Sequence, residues 1–147
     1  SIPRRTETLA SQAQASVSIP YGGYGLNDRF EPRNSADKSM QFHNWWQCFG
    51  TEEWAQYEWD QPMTLTEASV YWLELGHYDI DFQLPVSWRL EYKAGEKWLP
   101  VKNTDPYEIA KDKYCTVHFQ PVRTKALRLT AQLQEGKSAG ILEWKVR

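Results

Sequence analysis

Two loops of the sequence combine aromatic rings with planar polar side chains. In the first loop, Trp45 and Trp46 directly follow His43 and Asn44. The second loop runs from His77 to Phe82 and contains imidazole, phenol, carboxylate and phenyl groups. An aromatic face packs on the apolar C–H face of a sugar ring, and planar polar groups beside it bond the hydroxyls. Both loops therefore carry the side chains for sugar recognition, although the two tryptophans fit the end of a core equally well.

Within the second loop, His77, Asp79 and Asp81 alternate, which suggests catalysis as a further interpretation. In an extended segment the two carboxylates would lie on one side, about 6.6 Å apart at ~3.3 Å per residue. Inverting glycosidases use a similar separation, but one face of one strand cannot flank a scissile bond from both sides. No third group is evident that would set the pKa values of Asp79 and Asp81 apart, as an acid and base pair requires. Two Asp with one His are also a poor set of transition-metal ligands. We therefore expect no catalysis.

The composition indicates one domain that has more aromatic rings than its core can bury, so that some should lie at its surface. The chain has 147 residues, 41% of them hydrophobic, including eight Trp and eight Tyr. Such a length fits one domain with its own core, but so many rings exceed what a modest core hides. The net charge is −2 with scattered Lys and Arg, which predicts no nucleic-acid binding. No apolar run approaches the ~18 residues of a membrane span.

The central stretch, Gly50 to Leu75, is predicted to form two strands joined by a turn at Gln61-Pro62. Apolar and polar residues alternate from Ala55 to Trp59, and Ala68 to Leu75 is rich in residues that favour strands. Proline cannot donate to a ladder, so the first strand should stop before Pro62. If the chain reverses there, the two aromatic loops at the ends of this stretch lie together.

The remaining strands are short and are separated by turn residues. Residues 1–14 are polar and are predicted to be a linker or leader, with the domain at 15–147. About eight strands, with no convincing helix, predict an antiparallel β-sandwich or barrel. The further predicted strands lie at Ala15–Ser18, Ser87–Lys93, Lys97–Val101, around Val117 and Phe119 up to Pro121, Leu127–Ala131 and Gly140–Val146.

Several segments, in the same order along the chain, resemble the discoidin or coagulation factor 5/8 type C domain. That family has a galactose-binding-like jelly roll, so the resemblance implies an all-β antiparallel sandwich. It covers nearly the whole chain, from about Ala15 to Val146. The matching segments are Ala15-Ser16-Val17-Ser18, Leu26-Asn27-Asp28, Trp54–Trp59, Trp88–Tyr92, Lys97-Trp98, Ala126–Leu129 and Gly140–Trp144.

Other segments resemble, more closely, the C-terminal domains of secreted bacterial glycoside hydrolases of the former DUF1680, β-L-arabinofuranosidase-like group. This resemblance implies a monomeric carbohydrate-binding module, similar to family 32, joined to a catalytic domain and secreted, periplasmic or at the cell surface. The segments are Glu31–Ser35, Thr51–Trp54, Gly76-His77, Pro85–Leu90 and Gly140–Trp144.

The resemblance also implies which residues bind ligands. In these modules loops at one end of the sandwich hold the glycan through His, Arg, Asn and aromatic side chains. The fold often holds a structural calcium, for which Asp28 and Glu143 are the matching carboxylates, with Asn27, Ser35 and backbone carbonyls to complete the shell. Alternatively, Asp28 caps a turn and Glu143 pairs with a surface cation. The implied glycan-binding residues are Trp45, Trp46, His77, Tyr78, Asp79 and Arg89.

Two other functions remain open at this point. The first is a structural domain that packs on its catalytic neighbour and binds no sugar. The second is adhesion to phospholipid or protein, but many extracellular discoidin domains close their ends with a disulfide. Cys48 and Cys115 do not lie at those ends, which weakens this reading, and the two fit either a disulfide or free thiols.

Overall fold

Nine strands and one short helix make up the described part of the chain in the computed structural model, which describes residues 7–77 and 80–147. All strand pairs between these elements are antiparallel. The predicted antiparallel β-sandwich is confirmed. The elements are α1 (Leu9–Gln12), β1 (Gln14–Val17), β2 (His43–Asn44), β3 (Glu52–Leu73), β4 (Leu75–His77), β5 (Ile80–Phe82), β6 (Ser87–Ala94), β7 (Lys97–Pro100), β8 (Tyr114–Gln132) and β9 (Gly140–Val146).

The sandwich is built around the two long strands, β3 and β8. The main sheet has the order β2-β9-β3-β8-β6-β7, and β1 also pairs with β3. Since 22 residues of β3 would span about 70 Å if fully extended, the strand has to bend to fit a domain of this size. The first half of β3 joins a layer with β1, β6 and β7, and its second half joins the layer with β2 and β9.

The prediction of a turn at Gln61-Pro62 is wrong. β3 continues through these residues and stays paired with β8 on both sides, with a register shift between Glu58 and Met63. Pro121, predicted to end a strand, lies inside β8 opposite the second shift, between the partners of Leu65 and Glu67. Both prolines thus sit at bulges, where a missing N–H costs no ladder bond.

The two ends of β3 nevertheless lie at one pole of the sandwich. At the first end, the Leu133 N–H donates to the Thr51 carbonyl, 2.9 Å away. At the other end, Leu73 pairs with Gly140. One short loop joins Leu133 to Gly140, so the bent β3–β8 pair brings the two ends together, as the predicted turn would have done.

Aromatic rings fill the space between the two layers. Tyr57 and Trp144 stack with ring centroids 3.9 Å apart, and the Tyr57 hydroxyl donates to the Trp144 carbonyl. Five of the eight tryptophans are at most 5% exposed. Trp46, Trp54 and Trp98 are only partly buried, which confirms that the chain has rings left over for its surface.

The helix α1 lies where the sequence predicted a leader. Thr8 caps it through a reciprocal capping box with Ser11, and Ala10 is buried in the core. The Trp59 indole donates to the Leu9 carbonyl at 2.7 Å. The last part of the predicted leader therefore belongs to the folded domain, because its backbone bonds core side chains.

Neither cysteine forms a disulfide: Cys48 and Cys115 are free thiols. Among the helices of the described residues, none has the length and apolar character needed to cross a membrane.

Candidate functional site

The two aromatic loops meet at the pole where both ends of β3 lie. The Trp46 ring makes edge-to-face contacts with Phe49 and Phe82, at centroid distances of 5.2 and 6.4 Å. Phe82 is buried, whereas Phe49 is 43% exposed. The loop that precedes β3 and the loop that follows it thus form one surface with Trp46 between them.

A groove of about 290 Å³ opens beside Trp46. We call it the pole groove. Tyr21 and Tyr24 are 75% and 66% exposed on its walls, and Phe42 and Asn44 are half-buried. Its lining consists of Ile19, Tyr21, Gly22, Tyr24, Phe42, Asn44 and Trp46.

The tyrosine-bearing wall of the groove rests on His43. The Gly23 N–H donates to His43 Nδ1 at 2.9 Å, and burial lowers the pKa of His43 to about 3. The imidazole is therefore neutral, with its proton on Nε2. Gly22 has a φ of 121°, and a Cβ there would lie 2.6 Å from His43 Nδ1, so only glycine lets the loop lie this close.

Asn44 presents a polar group to the groove. Its Oδ1 accepts the Trp46 N–H at 3.1 Å, which fixes the side chain at the base of the Trp46 ring. Its Nδ2 has no acceptor among the described residues. With the two exposed phenols, the groove offers free neutral hydrogen-bonding groups beside aromatic rings, which is the combination that a sugar ring requires.

The charged groups of the neighbouring loop are paired with one another. Asp81 accepts hydrogen bonds from Lys137 and Gln83. The Lys137 ammonium, and then the Gln83 amide, lower the pKa of Asp81 below its usual range. Asp81 is therefore engaged in a surface ion pair, and Asp79, which alternates with it in the sequence, lies outside the described residues.

Among the residues predicted to bind glycan, the structure separates the two adjacent tryptophans. Trp46 lines the pole groove. Trp45 is 0% exposed and its indole donates to the Trp54 carbonyl at 3.2 Å. Since no face of its ring reaches the surface, Trp45 has the core role that the sequence left open, and it cannot stack on a ligand.

The other predicted residues lie at different places. His77 ends β4 at the pole, and Tyr78 and Asp79 lie outside the described residues. Arg89 lies on β6 and makes two hydrogen bonds to the Glu52 carboxylate, at 3.1 and 3.2 Å. Arg89 thus pairs across the outer face of the sheet and is not part of the groove lining.

That outer face carries two more tryptophans, which pack with an arginine and a glutamine. We call this group the sheet cluster: Trp54, Trp98, Arg128 and Gln56. The Arg128 guanidinium carbon lies 4.3 Å from the ring centroids of both Trp54 and Trp98. Gln56 Oε1 accepts from Arg128 Nε and Nη2 at 2.9 and 2.7 Å. Within the cluster, the Arg128 guanidinium therefore contacts both indole rings and is hydrogen-bonded to Gln56.

The carboxyl groups predicted to bind calcium face each other. Burial, and then a hydrogen bond that protonated Glu143 donates to the Asp28 carboxylate, raise the pKa of Glu143 to about 10. Glu143 Oε2 accepts the Arg29 N–H at 3.1 Å, while its Oε1 is buried without a hydrogen-bond partner. A nearly buried carboxyl with an unpaired oxygen, directed at a second carboxylate, is a donor set that a hard cation would satisfy.

The two other predicted calcium ligands are engaged elsewhere. The Asn27 amide donates to the Ala10 and Ala13 carbonyls at 2.7 and 3.1 Å, which ties the loop to α1. Ser35 Oγ accepts the Asp112 N–H at 2.8 Å. No group of three or more His, Cys, Asp or Glu residues suited to a metal ion occurs in the described part of the chain, so a cation here would need backbone oxygens as well.

Sequence reasoning missed Tyr21 and Tyr24 as site residues. Both stand next to glycines, in the segment Tyr21-Gly22-Gly23-Tyr24-Gly25. The available signal was the aromatic content of that segment, since exposed rings in a glycine-rich loop indicate a surface that is held in place for contact.

No protein-family model matches the chain. Among solved structures, it is similar to a chain of the β-galactosidase BgaA from Streptococcus pneumoniae, with a TM-score of 0.74 and 18% identity over 97% of this chain and 94% of that one. It is similar to Clostridium perfringens module CBM32-5, solved with GalNAc-β-1,3-galactose, with a TM-score of 0.63 and 10% identity over 93% and 96%. It is also similar to chitosan-binding module 1 from a Paenibacillus chitosanase/glucanase, with a TM-score of 0.58 and 14% identity over 97% and 99%.

These similarities establish the fold. The chain has an antiparallel β-sandwich fold similar to that of these solved modules.

Proposed function

We propose that this domain is a non-catalytic carbohydrate-binding module whose site is the pole groove beside Trp46. The observation that carries the proposal is the groove itself: one half-buried indole and two exposed phenols with a free amide between them. Aromatic faces with neutral polar groups suit the C–H faces and hydroxyls of a sugar. His77 ends β4 at the same pole, but the proposed site is the described groove and does not include Tyr78 or Asp79, which lie outside the described residues.

The expected affinity for a single sugar is weak. A shallow groove buries little ligand surface, and association has to offset the loss of translational and rotational freedom. We expect dissociation constants between about 0.1 and 10 mM, which correspond to roughly 3 to 5 kcal/mol.

Weak binding is sufficient if the domain tethers an enzyme to its substrate. We propose that the module belongs to a secreted glycoside hydrolase and holds it on a glycan, so that the effective concentration of substrate rises. The similar chains from a β-galactosidase and a chitosanase/glucanase support this context.

A glycan array followed by calorimetry at millimolar sugar concentration tests the binding proposal. We expect at least one hit, with NMR shifts that map to the Trp46 indole N–H and the Asn44 side-chain amide. If no glycan binds at 10 mM or below, on the order of the weakest affinity expected, the proposal is wrong and a purely structural domain takes its place. Co-sedimentation with liposomes, unchanged by Trp46→Ala, would instead support adhesion through another surface.

The carboxyl pair Asp28 and Glu143 supports a second proposal, a structural calcium ion. Both carboxylates would hold the ion together with backbone oxygens, and the ion would brace the loop around Asp28 against β9. It would do no chemistry. The unpaired, buried Oε1 of Glu143 supports this assignment.

The pH dependence of stability tests the calcium site. Because the pKa of Glu143 is raised to about 10 from its usual 4.5, the folded state keeps a proton that the unfolded state releases. Without calcium, the free energy of unfolding should therefore fall as the pH rises from about 4.5 towards 10. In EDTA the raised pKa of Glu143 removes about 3 kcal/mol between pH 5.5 and 8. The lowered pKa of His43 offsets about 1 kcal/mol of this loss up to pH 6.5, so we expect a net loss of about 2 kcal/mol, or roughly 4–8 °C in Tm.

Calcium should reverse this loss at pH 8, where it replaces the proton. At a hundredfold excess over its dissociation constant the gain is about 2.7 kcal/mol. Glu143→Gln should abolish the fall of Tm with rising pH and the calcium response. Glu31→Gln is the matched control, since Glu31 is an exposed carboxylate nearby that pairs with Lys145. An unchanged Tm of the wild type in 10 mM calcium at pH 8 would exclude a calcium site with a dissociation constant of about 0.1 mM or lower.

A further inference from the structure

The charge of the ligand is not fixed by this fold. One similar module is named for chitosan, whose amino groups are cationic, and another was solved with a neutral disaccharide. The side chains that line the groove of this chain therefore have to decide whether it takes an acidic, a basic or a neutral sugar.

The pole groove has no charged residue in its lining. Its described walls consist of four aromatic rings, an isoleucine, a glycine and one asparagine. An acidic sugar needs Arg or Lys as a partner, and an amino sugar needs Asp or Glu, because a charge transferred from water into a partly apolar groove without a partner is destabilised. Neither kind of partner is present among these residues.

Three charged groups at this end of the sandwich are already engaged in contacts within the protein. Lys137 is bound to Asp81. On the adjoining sheet Arg89 is bound to Glu52, and Glu53 accepts the Ser18 hydroxyl at 2.8 Å. Recruiting any of them to a ligand would break a contact that the protein makes in its free state, so none is a ready partner for a charged sugar.

The size of the groove limits the ligand to a small unit. Its volume of about 290 Å³ is at the lower limit of ligand pockets, which hold roughly 300–1,000 Å³. One or two sugar rings fit such a space, and a longer chain would extend over Trp46 towards Phe49.

From these observations we infer that the pole groove selects a neutral mono- or disaccharide unit and discriminates against its acidic and amino counterparts. The inference rests on the proposed carbohydrate-binding function and names the ligand class of that site. Recognition depends on the rings of Tyr21, Tyr24 and Trp46, and on Asn44 Nδ2 as a neutral donor to a hydroxyl.

Calorimetric titrations with matched sugars test this inference. The probes are the best neutral sugar from the array, its uronic acid and its 2-amino-2-deoxy derivative, each titrated at 50 and 500 mM NaCl. We expect the two charged sugars to bind about tenfold more weakly or worse, and the affinity for the neutral sugar to change less than about twofold with salt. A charged sugar that binds as tightly as the neutral one, or an affinity that falls steeply with salt, overturns the inference.

Asn44→Asp sharpens the test by adding one charge at constant shape. The new carboxylate keeps the acceptor for the Trp46 N–H, so the loop should fold as before. We expect the amino sugar to gain about tenfold in affinity and the uronic acid to lose further. Asn34→Asp is the matched control, because Asn34 is exposed elsewhere and its Oδ1 likewise accepts a backbone N–H, from Ala36 at 2.9 Å.

The outcomes separate this inference from the function on which it rests. If no sugar of any charge binds, the proposed function fails. If glycans bind but Asn44→Asp and Tyr24→Ala leave all affinities unchanged, the function stands and the groove is not its site. A preference for acidic sugars leaves the function standing and contradicts neutral selection.

Discussion

Two surfaces of this domain carry aromatic rings, and they differ in what covers those rings. In the sheet cluster, the guanidinium of Arg128 lies against both indoles and Gln56 accepts its hydrogen bonds. In the pole groove, Tyr21 and Tyr24 are 75% and 66% exposed. In the sheet cluster a side chain of the protein already stacks on both indoles. In the groove the two tyrosine rings are exposed, so a ligand can stack on them.

The comparison shows that aromatic content alone does not locate a binding site. Tryptophan rings beside planar polar groups occur on both surfaces, so residue types alone do not tell the two surfaces apart. What distinguishes the pole groove is that two of its rings, Tyr21 and Tyr24, are mostly exposed and that Asn44 Nδ2 has no acceptor among the described residues. Free ring faces and free donors, and not the number of rings, indicate the site.

The largest expected effect comes from removing both exposed rings of the groove. Tyr21→Ala with Tyr24→Ala should weaken glycan binding by roughly tenfold to a hundredfold, since each ring contact contributes about 0.5–1.5 kcal/mol beyond its buried area. Both rings are mostly exposed, so Tm should stay within about 2 °C of the wild type. Calorimetry and thermal melts measure the two quantities. Unchanged affinity in the double variant would mean that the groove walls do not touch the glycan.

A smaller effect is expected in the sheet cluster, and it should fall on stability alone. Arg128→Met removes the cation from between Trp54 and Trp98 and leaves Gln56 without its donor. Cation–π contacts contribute about 0.5–2 kcal/mol, so we expect a loss of about 1–2 kcal/mol in the free energy of unfolding, measured by urea denaturation. Glycan affinity should not change. If it does, the two surfaces are not independent.

The smallest effect is expected for Arg89, a residue that the sequence assigned to the site. Its ion pair with Glu52 is exposed on both sides, and such pairs contribute about 0–1 kcal/mol. Arg89→Ala should therefore leave glycan affinity within about twofold and Tm within about 3 °C. A tenfold loss of affinity would return Arg89 to the binding site.

Local patterns in the sequence predicted the layers of this fold well. The alternation of Ala55, Tyr57 and Trp59 correctly predicted their buried face, since each is at most 5% exposed. The strands predicted at Ser87–Lys93 and Lys97–Val101 are also present as β6 and β7, which form a hairpin with Gly95 at a φ of 61° in its turn. These features depend on neighbours in the chain, so the sequence contains the information directly.

Features that depend on distant parts of the chain were harder to predict. Pro62 and Pro121 were expected to stop strands, but the bulges in the β3–β8 pair accommodate them, and a bulge is a property of two strands together. Trp45 and Trp46 are adjacent and identical in type, yet one is in the core and the other lines the groove. Which of them is exposed depends on how the preceding residues, His43 and Asn44, pair with β9.

The most direct test of the account compares two single substitutions, Trp46→Ala in the groove and Trp98→Ala in the sheet cluster, by titrating both proteins with the best glycan from the array. Both remove a partly buried indole, so they match in chemistry and differ in place. We expect Trp46→Ala to lose at least about tenfold in affinity, or more than ~1.4 kcal/mol, while Trp98→Ala binds as the wild type does. Retained binding in Trp46→Ala, together with a loss in Trp98→Ala, would contradict the account and move the site to the face of the sheet.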